Sequence, residues 1–137
     1  MLGHLCVLAN FRPETAYYPI LRAVLDGQFT LAVSTSVLLE YEEIIVKMAG
    51  AQRWQEITAL LDVLSRLHGN VLNVEAHFRF GVIAADVDDN KFCDCAIATN
   101  ADFLVTEDHH FNVLKSAGYK TQPVTPTNFI RQHLGQK

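Results

Sequence analysis

The stretch AADVDDNKFCDCAIATNADFLVTEDHH, Ala84 to His110, carries seven carboxylates in 27 residues: Asp86, Asp88, Asp89, Asp94, Asp102, Glu107 and Asp108. Between them stand Phe92, Ala96, Ile97, Phe103, Leu104 and Val105, the residues of a core. Like charges repel, and a buried unpaired charge is expensive. The crowding therefore implies either a cation among the acids or a solvated surface. Hard oxygen ligands suit Mg²⁺ or Mn²⁺, which take carboxylates, phosphate and water. Such a centre serves phosphodiester hydrolysis, activating water and stabilising the charged transition state. The bland alternative is a set of helix caps and solvated acids.

Helical and strand-like patterns must position these acids, and they run along almost the whole chain. Thr15–Leu25 reads as a helix with Ile20, Leu21, Val24 and Leu25 as its stripe, Pro19 as an early turn and Asp26-Gly27 as a stop. Phe29–Val33 is a short buried strand, and the hydroxyls at 34–36 offer caps for a helix over Val37–Met48 that Gly50 ends. A third helix spans Gln52–Leu67, with Trp54, Ile57, Leu60, Leu61 and Leu64 on one face, before Gly69-Asn70 and a brief strand at 71–74. His77–Val87 carries no clear pattern. A helix over Asp89–Thr99, a strand over Asp102–Thr106, a short helix near His110–Ser116, a strand near Thr121–Val124 and a helix after Pro126 complete the chain. Short apolar strands alternating with helices predict a mainly parallel α/β sheet with helices on both faces.

In open α/β sheets, ligands bind beyond the carboxyl ends of the strands. Three acids suit that edge: Asp108, two residues past the late strand; Asp89, in the first turn of the helix before it; and Glu40, in the second turn of the helix after Phe29–Val33. Helical phase supports the choice. Asp89 shares a face with Phe92, Cys93 and Ala96, whereas Asp94 lies about 140° away on the flank, where it supports the site or faces water. Val37, Tyr41, Ile44, Ile45 and Met48 make a core stripe; Glu40 and Glu42 border it, and Glu43 points away. Proximity to the strand end favours Glu40. Adjacent residues do not face one another, so His109-His110 reads as a solvated turn or phosphate contact ahead of a zinc pair. Cys93 and Cys95 point to different helix faces and read as packing.

The 137 residues fit one domain, and half of them are hydrophobic. No apolar run approaches the roughly 20 residues that span a bilayer, so no membrane is expected. No signal peptide is evident. Three cysteines without framework spacing point to reduced thiols and a cytoplasmic location. The net charge of −4 argues against coating a nucleic-acid duplex, though not against gripping a short stretch through a metal.

DVDDNKFCDCAIATNADFLVTEDHHF, LAVSTSVLLEYEEII (31–45) and RFGVIAADVDDNKF (79–92) together resemble the PIN-domain proteins, in particular the toxin components of bacterial toxin–antitoxin systems. The resemblance runs from Tyr17 to the C-terminus. It implies an α/β/α sandwich with a mainly parallel sheet and a ribonuclease using Mg²⁺ or Mn²⁺. Of the four acids that PIN domains place at the carboxyl edge, the second matches Glu40, the third Asp89 and the fourth Asp108, in the Thr-Glu-Asp where the family has Thr-x-Asp. Ser34 and Thr106 match polar positions lining the site. Asp86, Asp88 and Asp94 belong to the subgroup's motif and are candidates for auxiliary ligands, and Arg79 and Lys91 are candidates for RNA-phosphate contacts or for local charge balance. The subgroup implies a homodimer or larger assembly and an antitoxin partner, served by Trp54 and the leucines of the third helix when these are not simply core.

The start of the chain departs from the pattern. PIN domains open with an apolar strand ending in Asp-Thr-Asn, whereas this chain opens MLGHLCVLANFRPETAYY, with no acid before Glu14. Aligning Cys6-Val7 with the residues after the family's triad leaves Gly3-His4-Leu5 in its place. Either HLCVLAN is itself the first strand, with the neutral Asn10 near the site, or the strand is missing, or the sequence is an incomplete or altered version of a longer one. Two readings follow: a metal-dependent RNA endonuclease of toxin type, or a degenerate PIN module that binds RNA or a protein without cutting. A phospho-acceptor domain shares the layout but wants paired acids after the first strand and a lysine after a late one, and neither is evident.

Overall fold

The computed structural model describes residues 4–9, 18–75 and 89–134. Its centre is a strand of four apolar residues, β1 (Leu5–Leu8), of which Cys6, Val7 and Leu8 are buried. A strand covered on both faces has no polar side to show, so it reads as an unbroken apolar run. HLCVLAN thus contains the first strand, and Leu5, aligned above with the family's triad, lies inside it.

Around β1 stand β2 (Thr30–Val33), β3 (Val71–Asn73), β4 (Phe103–Val105) and β5 (Gln122–Val124), in the order β3-β2-β1-β4-β5. All pairings are parallel; Cys6 lies opposite Leu31 on one side and Phe103 on the other. With α1 (Tyr18–Leu25), α2 (Thr35–Ala49), α3 (Ala51–Leu67), α4 (Asn90–Thr99), a 3-10 helix (His109–Ser116) and α5 (Pro126–His133), this is a PIN-like α/β/α sandwich. The chain adds strands to one side of β1, then crosses over through α4 to add β4 and β5 on the other. The strand order therefore reverses between β1 and β4, and the carboxyl edge at such a switch point is where open α/β sheets bind ligands.

Local chemistry sets the boundaries. The Ser34 hydroxyl accepts from the Val37 amide at 3.2 Å and caps α2, which starts two residues earlier than the apolar stripe alone suggests. Gly50, at φ +94°, separates α2 from α3 with a backbone that other residues rarely adopt. The 110–116 segment winds as a 3-10 helix, and Asp89 stands at the position just before α4 instead of lying inside it. Phe92, Cys93 and Ala96 are buried as their phase predicts, but so are Asp94 and Cys95. α4 packs against β1, β2 and β4 on one side and α2 on another, so its flank is covered as well. In α3 only Leu64 is buried, with Trp54, Ile57 and Leu61 half-buried and Leu60 exposed; Met48 of α2 is exposed too. Residues 77–87, where no pattern was clear, lie outside the described residues, as do Asn10 and residues 15–17 of the first expected helix.

Candidate metal centre

Two ladder bonds extend past the strand ends: the Ala9 amide donates to the Val105 carbonyl at 3.0 Å, and the Thr106 amide to the Val124 carbonyl at 2.9 Å. They carry the rigid sheet up to the carboxyl edge. There the buried Thr106 hydroxyl accepts from the Asp108 amide at 3.0 Å, so the chain turns sharply after β4. Asp108 then caps the 3-10 helix: its Oδ1 accepts from the His110 amide at 2.9 Å, and the His110 Nδ1 lies 3.1 Å from the same oxygen. This turn swings the His110 ring back beside the carboxylate.

Asp89 arrives from the other side. It stands at the N-terminus of α4, where helix partial charge favours a carboxylate, yet its side chain makes no capping bond to its own helix. It is only 8% exposed. Asp89, Asp108 and His110 each present one ligand atom, and these atoms all lie within 4.8 Å of one another. Two carboxylates so close, one of them buried, repel, and a cation between them would relieve that repulsion. Two carboxylate oxygens and an imidazole nitrogen suit a divalent ion, with Mn²⁺ more tolerant of the nitrogen than Mg²⁺.

An aromatic contact holds the two halves together. Phe92, one turn into α4, meets Phe111, the residue after His110, edge-to-face at 6.4 Å, and Tyr41 lies against Phe92 at 6.3 Å. The Tyr41 hydroxyl donates to the Leu8 carbonyl, tying α2 to the end of β1.

The structure brings together two of the three acids expected from the sequence. Glu40 is outside the cluster: its Oε1 takes the Lys91 Nζ at 2.7 Å, an ion pair joining α2 to α4 with both side chains about three-quarters covered. Lys91, a candidate RNA contact, is thus spent on local charge balance. Ser34 is buried as the cap of α2. Asp94 is buried on α4 instead of facing water, Glu107 is exposed, and Asp102 sits at the opposite edge of the sheet, accepting from the Leu5 amide at 2.8 Å and pairing with Lys120 at 3.0 Å. Arg79, Asp86 and Asp88 lie outside the described residues. Burial, then the charges of Asp94 and Asp89, push the Cys93 thiol up to about 12, so it stays a protonated packing group and not a thiolate ligand.

His110 is the residue that sequence reasoning missed. The rings of His109 and His110 lie side by side, centroids 4.6 Å apart, contrary to the expectation for neighbours, but only His110 joins the carboxylates. The signal available was Asp108 itself: an aspartate capping a helical turn draws the amide two residues on, and here the imidazole follows.

The fold is a parallel α/β sheet, and after its strand β4 lies a cluster of side chains that could hold a metal ion. The PIN domain family model matches residues 5–110, and the chain belongs to that nuclease family. The match begins at β1, earlier than Tyr17, and so takes in the short first strand. No curated protein and no solved structure matches. No helix among the described residues is long and apolar enough to cross a membrane.

Proposed function

We propose that the protein is a metal-dependent RNA endonuclease whose centre is Asp89, Asp108 and His110. The observation that carries this reading is the convergence of those three side chains at the switch point of a PIN fold. PIN nucleases act on RNA and are typically dependent on a divalent metal. A bound Mn²⁺ or Mg²⁺ would supply water activation and stabilisation of the charge that develops on the scissile phosphate.

The protein's own residues do the rest. Asp89 and Asp108 provide the charge that holds the ion, and Thr106 fixes the backbone from which Asp108 projects. His110 supplies a third donor in a set whose first-strand acid is missing, since the residue following β1 is the buried, apolar Ala9. Glu40, held by Lys91 two residues after Asp89, acts in this proposal from outside the direct ligands. Asp86, Asp88 and Asp94 remain auxiliary ligands in this proposal and Arg79 an RNA-phosphate contact. The toxin role, a cytoplasmic location, an antitoxin partner and a homodimer or larger assembly belong to the same proposal, supported by the resemblance of the three quoted stretches to the toxin subgroup and, for the assembly, by exposed Leu39, Leu67 and Leu72.

Labelled single-stranded RNA incubated with Mn²⁺ should be cut, and EDTA or Asp89→Asn should abolish cutting, a loss of at least about 100-fold. Cleavage indifferent to both would refute the reading. The second reading, a module that binds without cutting, is favoured by Ala9 at the end of β1. It requires that the protein bind RNA and leave it intact at every Mn²⁺ concentration.

A further inference from the structure

Beyond the acids, the carboxyl edge opens into a groove of about 380 Å³ lined by Thr106, Asp108 and the residues that follow β4 and β5. Its walls follow from helical periodicity. In a 3-10 helix, residues three apart eclipse one another, so His109, Asn112 and Lys115 stand in one row along one wall. In an α-helix, residues four apart share a face, so Asn128 and Gln132 of α5 line the opposite wall. Pro123, Val124 and Thr125 form the floor between them.

These polar side chains are not spent on the fold. Among the described residues, Asn112, Lys115 and Gln132 make no side-chain hydrogen bond or ion pair, and Asn128 uses only its Oδ1, which accepts from Arg131 at 2.6 Å. Carboxamides carry both donors and acceptors and can meet the edge of a base. Lysine meets phosphate, and an exposed histidine ring offers a stacking face. The volume is at the lower end of small-ligand sites, suited to one nucleotide and too small for a duplex.

We infer that this groove is the subsite for one nucleotide of a single-stranded RNA, flanking the phosphate that an ion at Asp89, Asp108 and His110 would hold, with Asn112, Asn128 and Gln132 at the base edge and Lys115 on the next phosphate. The inference rests on the nuclease reading for its substrate, but its test does not require cleavage. Nucleoside 5′-monophosphates titrated into the protein in the presence of Mg²⁺ should shift the side-chain amide NMR signals of Asn112, Asn128 and Gln132. The double variant Asn112→Ala/Gln132→Ala should bind a short fluorescein-labelled single-stranded RNA about tenfold more weakly, as expected for the loss of two hydrogen bonds. Duplex RNA should be bound no differently by parent and variant, and in cleavage the base preference beside the cut should relax. Unshifted amide signals, or a double variant that keeps the parent's affinity for single strands, would overturn the subsite. Both substitutions are at exposed positions, and a matching thermal unfolding curve shows that the variant folds. A subsite that fails while Mn²⁺-dependent cleavage persists leaves the nuclease reading standing; nucleotide binding in a protein that neither cuts nor binds Mn²⁺ does the reverse.

Discussion

At the residue scale, the candidate centre depends on groups that never touch the ion. Thr106 is buried and its hydroxyl takes the Asp108 amide, so it fixes the direction of a ligand it does not replace. Thr106→Val keeps the shape and loses that acceptor; Mn²⁺ affinity measured by calorimetry should fall about tenfold, the usual cost of removing an orienting partner. His110→Ala should weaken Mn²⁺ more than Mg²⁺, narrowing the difference between the two ions, because only the imidazole distinguishes them. Glu40→Gln separates two roles. With Glu40 outside the direct ligands, Mn²⁺ affinity should change by less than about threefold while cleavage falls; a loss of affinity equal to that of Asp89→Asn would make it a ligand after all. The sequence made Asp89 and Asp108 legible because each stands at an element boundary, a helix start and a strand end. It left His110 unread because its position depends on the tight 3-10 turn that Asp108 caps, a feature of backbone winding and not of spacing.

At the scale of elements, the cluster is assembled by two segments that come from opposite sides of the switch point. α4 brings Asp89, the turn after β4 brings Asp108 and His110, and the Phe92–Phe111 contact locks one against the other. Phe92→Ala should cost about 3–5 kcal/mol in urea denaturation, since the ring is fully buried. Phe111→Leu should cost less yet lower Mn²⁺ affinity, although no ligand is changed; unchanged affinity would mean that the segments are held together by other contacts. The helices and strands were legible in outline because apolar spacing reports one buried face. Where an element is covered on two sides the rule underpredicts burial, as at Asp94 of α4. Where it borders solvent the rule overpredicts, as at Leu60 and Met48. β1 was left open between strand and absence because four apolar residues are too few to show a period.

At the scale of the whole molecule, the two edges of the sheet respond to different conditions. At the amino edge, burial works against the Asp102 charge, but the Leu5 amide, Lys120 and His4 outweigh it and hold the carboxyl below its usual range. Its contribution is therefore present above the unfolded aspartate value of about 4 and is lost as pH falls through the lower folded value. His133 is held below the usual histidine range by burial and by His4, so it too loses its contribution as the pH drops below about 6.5. Urea denaturation should show stability falling in those two windows, and Asp102→Asn should flatten the lower one at a cost of about 1 kcal/mol at neutral pH. The carboxyl edge should respond to metal instead. The most direct test of the central claim is calorimetric titration of Mn²⁺ into the protein and into Asp89→Asn and Asp108→Asn. The account predicts saturable binding by the parent and its loss in both variants. Binding that survives in either variant, or a parent that takes up no Mn²⁺, would contradict it.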